Sequence, residues 1–183
     1  MQRGRALGVA TLTAAALVLV LAGADAGRRG DPVPDAGPPT ITVDGARVRP
    51  ASYAWYSADT GTIRRSPVPA RPRTRADFPA ARPRAGSVEI LTGGVGRDAR
   101  VDVTFFDHVD GDGQPVRAVA TRRCAGDPGC RWSHGPGGRR VDVPVAAGAR
   151  FVAITVSEDV PGFASALPVT SVARYGVVLE TGR

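Results

Sequence analysis

From residue 41 onward the chain alternates apolar and polar residues in short runs, each cut by glycine, proline or aspartate. A period of two sends successive side chains to opposite faces, which suits a half-buried β-strand and not a helix. Ile41-Thr42-Val43, Asp44-Gly45 and Ala46-Arg47-Val48 read as a hairpin with a two-residue turn. Ser52–Ser57 (SYAWYS), Ser87–Thr92 (SVEILT), Val101–Phe105 and Val116–Thr121 follow, the last two pairing across a turn at 110–115. Val141–Val145 alternates again, and Pro144, with no N–H to give to a ladder, predicts an edge strand. Phe151–Ser157 (FVAITVS) is the most apolar run, expected at the centre of a sheet, and Tyr175–Thr181 closes the chain. No window of 11 residues after the N-terminal segment carries a helical stripe with caps. The expectation is an all-β, antiparallel two-sheet sandwich of about seven or eight strands, immunoglobulin-like in architecture.

The N-terminus has a different pattern. Arg3 and Arg5 precede Ala6–Ala22, which has no charged side chain, and Ala24-Asp25-Ala26 supplies small residues around a cleavage point. This is the layout of a secretory signal peptide, here residues 1–26. The apolar run of 17 residues also approaches the length of a membrane span, so an uncleaved anchor is the alternative. Either way the remainder is expected outside the cytoplasm, secreted or tethered to the membrane by this segment. Residues 27–40, rich in proline and glycine, read as a flexible linker, and 41–183 as one domain.

All 24 basic residues are arginine; none is lysine. Losing Arg3, Arg5 and Asp25 with residues 1–26 takes the formal charge from +7 to +6. A basic exported domain is drawn to anionic polymers such as teichoic or uronic chains. The densest basic stretch is 64–84 (RRSPVPARPRTRADFPAARPR), with seven arginines, five prolines and Asp77 as its one acid. It reads as a long loop of polyproline character, from which Arg65, Arg71, Arg73, Arg75, Arg82 and Arg84 would contact phosphates or carboxylates. Specific nucleic-acid reading is not expected: no placed element offers base-edge contacts, and Phe78 is the only aromatic residue in the stretch.

Cys124 and Cys130, in CAGDPGC, are the only cysteines. In an exported chain two nearby thiols are expected to form a disulfide. Zinc is the competing reading, through Cys124, Cys130, His134 and a distant His108, but C-x5-C is wider than the usual ligand spacing. Asp107, Asp110 and Asp112 in DHVDGDGQP are weak calcium candidates, since Asp110-x-Asp112-Gly113 is a fragment of a calcium loop without its closing glutamate. No cofactor is expected.

Trp55 is expected in the core, while Tyr56, on the opposite face of the same strand, with Tyr53 and Trp132 would make a sugar-stacking platform. Ser133-His134 lacks the G-x-S-x-G context of a hydrolase, and Glu89, Glu158 and Glu180 form no recognisable catalytic pair. The functional expectation is a non-catalytic envelope module of a bacterium that acts by surface contact or adhesion. A carbohydrate- or calcium-binding extracellular domain is the alternative.

Overall fold

The computed structural model describes residues 37–57, 60–69, 73–93, 95–96, 98–110, 114–135, 137–161 and 168–180. The signal segment 1–26, most of the linker, Arg71 and Asp112 lie outside the described residues. Twelve strands occur among them: β1 (Ile41–Val43), β2 (Ala46–Val48), β3 (Ser52–Ser57), β4 (Thr62–Arg65), β5 (Ala80–Ala81) and β6 (Ser87–Thr92). They continue with β7 (Arg100–Val109), β8 (Pro115–Arg123), β9 (Arg131–Gly135), β10 (Gly138–Pro144), β11 (Phe151–Pro161) and β12 (Pro168–Leu179).

The strands form two sheets. The first runs β2-β1-β6-β10-β9, and the second runs β4-β3-β12-β11-β7-β8 with β5 attached to the end of β12. Pairing is antiparallel except between β5 and β12. The β1–β2 turn is the one its sequence asks for: Asp44 (φ 48°) and Gly45 (φ 84°) are both left-handed, as a two-residue hairpin requires. β11 lies between β7 and β12, at the interior position its apolar run implies. β10, in contrast, is not an edge strand, because β9 pairs alongside it. Those β9 partners stop at Asp142, so Pro144 sits past the last of them and its missing N–H interrupts nothing on that side.

Alternation builds the core. Ile41 and Val43 (β1), Val88 and Ile90 (β6), and Val141 and Val143 (β10) meet Val101, Val103 and Phe105 (β7) and Val152, Ile154 and Val156 (β11), all fully buried. Each such side chain contributes about 1.5–3 kcal/mol relative to exposure. Trp55 joins them, as expected. Tyr175 is buried too, which pushes its pKa up, and its hydroxyl donates to the Pro39 carbonyl (2.5 Å). Pro39, just ahead of β1 in the first sheet, is thereby tied to β12 of the second.

Candidate functional site

The β8–β9 connection carries the chain from one edge of the second sheet to one edge of the first. Cys124 and Cys130 close it with a disulfide, their Cα atoms 5.2 Å apart, and both are buried in the core cluster. The thiols are thus joined to each other, and the zinc reading falls. The intervening turn is well bonded: the Asp127 N–H donates to the Arg123 carbonyl (3.0 Å), and the Gly129 N–H to Asp127 Oδ1 (2.7 Å). Trp132 Nε1 donates to the Cys124 carbonyl (2.7 Å), and the Arg139 guanidinium lies 4.2 Å over the indole ring. Ser133 and His134 follow on β9 at successive positions, so their side chains leave opposite faces.

The arginine-rich stretch is less loop-like than its composition implies. Arg64 and Arg65 end β4, paired with Trp55 and Ala54, so the stretch begins as a sheet edge. Downstream, Thr74 caps a single 3-10 turn, Arg75–Asp77, with its N–H on Asp77 Oδ2 (2.7 Å). Gln114 Nε2 donates to the Arg73 carbonyl (2.9 Å), tying this turn to the β7–β8 hairpin. Phe78 then packs edge-on against Phe151, ring centroids 5.1 Å apart, over the bare backbone of Gly176. A Cβ at Gly176 would come within 2.6 Å of the Phe78 ring, so only glycine admits this contact. Val178 and Glu180 donate backbone N–H groups to the carbonyls of Pro79 and Ala81 (both 2.9 Å). Residues 73–81 are thereby a strap across one end of the second sheet.

The strap separates the arginines. Arg82 is bound to Glu180 (2.8 Å), and Arg84 bridges to Ser87 through its backbone. Arg65 is far along the sheet on β4, while Arg73 and Arg75 stand beside the β7–β8 turn. In that turn the two described calcium candidates, Asp107 and Asp110, have protein partners. Asp107 takes Arg117 Nε at 2.7 Å, which holds its carboxyl below the ordinary range, and Asp110 Oδ1 accepts the Gln114 N–H (2.7 Å). The aromatic residues do not assemble either: Tyr53 and Tyr56 are on the second sheet and Trp132 is on the first, and Tyr56 is only 6 % exposed.

Sequence reading missed a carboxylate row that long-range pairing creates. Asp44 exchanges bonds with Glu89, its N–H on the Glu89 carbonyl and its Oδ1 accepting the Glu89 N–H (both 2.9 Å), and Glu89 lies opposite Asp142 on β10. With Arg84 and Ser87 they line a recess of about 190 Å³. Asp44 Oδ2 is buried without a hydrogen-bond partner, and burial above all, with Glu89 and Asp142 adding repulsion, pushes its pKa up. Glu89 also reaches Arg140 (3.4 Å). Among the described residues no group of His, Cys, Asp and Glu is arranged to hold a metal ion.

The second sheet also has an outward face, which register defines. One cross-strand row is Arg174, Thr155, Asp102 and Arg123; the next is Gly176, Ala153, Thr104 and Thr121. Arg65 shares this face through Ala54 and Val172. Arg65, Arg123 and Arg174 are exposed and have no ion-pair partner among the described residues. No protein-family model, curated protein or solved structure matches this chain.

Proposed function

We propose that the chain is an exported, non-catalytic module of the bacterial cell envelope, immunoglobulin-like in architecture, that adheres to anionic polymers by surface contact. The observation that carries this reading is the imbalance of surface charge. Ion pairs take up Glu89, Asp107, Asp127, Asp159 and Glu180, while exposed arginines such as Arg65, Arg75, Arg123 and Arg174 are left with no acidic partner among the described residues. Guanidinium forks in that state suit the carboxylates and phosphates of envelope polymers. The disulfide supports export, since such bonds persist in oxidising compartments. Residues 1–26 would direct that export, and the chain would stay tethered if they are kept. Two experiments test the reading. Fractionation of cells expressing the full chain should recover it outside the cytoplasm; recovery in the cytosol refutes export. Purified chain should sediment with wall material at low ionic strength and be released at about 1 M salt, where the screening length falls to about 3 Å. Failure to sediment, or sedimentation indifferent to salt, refutes adhesion by charge.

A further inference from the structure

We propose that the outward face of the second sheet is the seat of this adhesion, and that its ligand is an acidic polysaccharide lying across the strands. The proposal rests on the anionic-polymer reading above and gives it a place and a chemistry.

The floor of the face is shallow because its side chains are small. Ala153, Thr155, Thr104 and Thr121 occupy neighbouring positions on β11, β7 and β8, and the floor ends at Gly176, which lies under the Phe78 ring. The hydroxyls of Thr104 and Thr121 are 3.3 Å apart, so the floor presents polar groups able to exchange hydrogen bonds with sugar hydroxyls. Arg65 on β4, Arg174 on β12 and Arg123 on β8 spread positive charge across the sheet, over about 24 Å at the usual strand spacing. Among the described residues the strands of this face carry two acids: Asp159 is held by Arg100 (2.9 Å) and by Thr170, and Asp102 lies opposite Arg123 in register without an ion pair to it, so neither is paired with Arg65 or Arg174.

Direction follows from the boundaries. The strap closes one end of the face, where Phe78 packs over Gly176 and Phe151. Past β8 the surface opens into a recess of about 670 Å³ lined by Thr121, Arg123, Ala125, Gly126 and Asp127. A chain running from β4 towards β8 therefore meets arginine, a hydroxyl-bearing floor, arginine again and then an open exit. A polymer that carries both carboxylates and hydroxyls answers that sequence of groups. A bare polyanion would use only the arginines.

The test is retention of the full chain on immobilised polygalacturonate, with two kinds of variant. Arg65→Gln/Arg123→Gln/Arg174→Gln should weaken binding about tenfold or more, from three charge contacts of ordinary surface strength. Arg47→Gln/Arg49→Gln/Arg131→Gln, which loses as much charge on and beside the first sheet, should stay within about threefold. Thr155→Trp leaves the charge unchanged but fills the floor, and should also weaken binding. Melting curves confirm that each variant is folded. If the first triple variant and Thr155→Trp both bind like the parent while the parent still sediments with wall material, this face is not the site and the adhesion reading survives. If the parent binds neither polygalacturonate nor wall material, the adhesion reading fails and takes this one with it. Inorganic polyphosphate displacing the chain as well as polygalacturonate does, at equal charge, would overturn the glycan assignment.

Discussion

Reducing the Cys124–Cys130 bond should lower the free energy of unfolding by about 2 kcal/mol. The bond closes a loop of seven residues, counting both cysteines across their separation of six. Loop-closure entropy for that length is about 8 cal/mol/K, or about 2.4 kcal/mol at 25 °C. Pro128 restricts the unfolded loop while Gly126 and Gly129 loosen it, so the measured value should stay close to that figure. Both sulfurs are buried, and reduction leaves them in place, whereas a double alanine variant would add a packing loss. The assay is urea unfolding with and without reductant, followed by tryptophan fluorescence. Trp132, bonded to the Cys124 carbonyl, reports on the crossover, and Trp55 reports on the core. The two signals should move together, with a fall in melting temperature of about 5–10 °C. A loss below about 0.5 kcal/mol would mean that the bond does not constrain the unfolded chain as the loop argument requires. Disappearance of the cooperative transition would mean that the bond holds the two sheets together, a larger role than loop closure.

Three further outcomes follow from the geometry. Phe78→Ala should release the strap and expose Arg73 and Arg75 to rapid tryptic cleavage, at a stability loss of about 1–2 kcal/mol for a half-buried ring; cleavage at the parental rate would show that the strap holds without it. Burial holds the Asp44 carboxyl above its ordinary pKa, so the folded state favours the protonated form, and the associated stability is full in acid and lost as pH rises through the raised value. Asp44→Asn keeps an acceptor for the Glu89 N–H and should therefore be more stable than the parent near neutral pH, by less than about 1 kcal/mol, with the two converging in acid; urea midpoints across a pH series check this, and a less stable variant at neutral pH would show that Arg84 already compensates the charge. Millimolar calcium should leave the melting temperature unchanged, because Asp107 and Asp110 already engage Arg117 and the Gln114 N–H; an upward shift would restore the calcium reading.

What the sequence made legible was local. The Asp44-Gly45 hairpin, the alternating faces of β6 and β7 and the interior place of β11 all follow from residues a few positions apart. The disulfide was legible because its partners are the only two cysteines and lie close together. β4 was not, since Thr-Ile-Arg-Arg has an exposed face on both sides and owes its strand conformation to pairing with β3. β5 is two residues long and exists because β12 offers a free edge there. Tyr56 is buried although strand alternation points it away from Trp55 and the core, so periodicity alone assigned it to solvent. The carboxylate row and the arginine-bearing face depend on pairings such as Val143 with Val88 and Thr155 with Asp102, which no local pattern reveals. One signal was present and unread: a lone glycine inside a strand, Gly176, marks a close approach, here by Phe78.

The order of strands also sets how such a chain can reach its native state. Five neighbouring pairs, β1–β2, β3–β4, β7–β8, β9–β10 and β11–β12, are hairpins whose ends meet at little entropic expense. Other ladders, β1 with β6, β6 with β10, β3 with β12 and β7 with β11, join residues tens of positions apart. Folding is consequently limited by docking preformed ribbons, a process of milliseconds to seconds in all-β domains. The sulfur bridge closes the seven-residue interval 124–130 between two ribbons, so oxidation before docking would deliver β7–β8 and β9–β10 to that step as a single hinged unit.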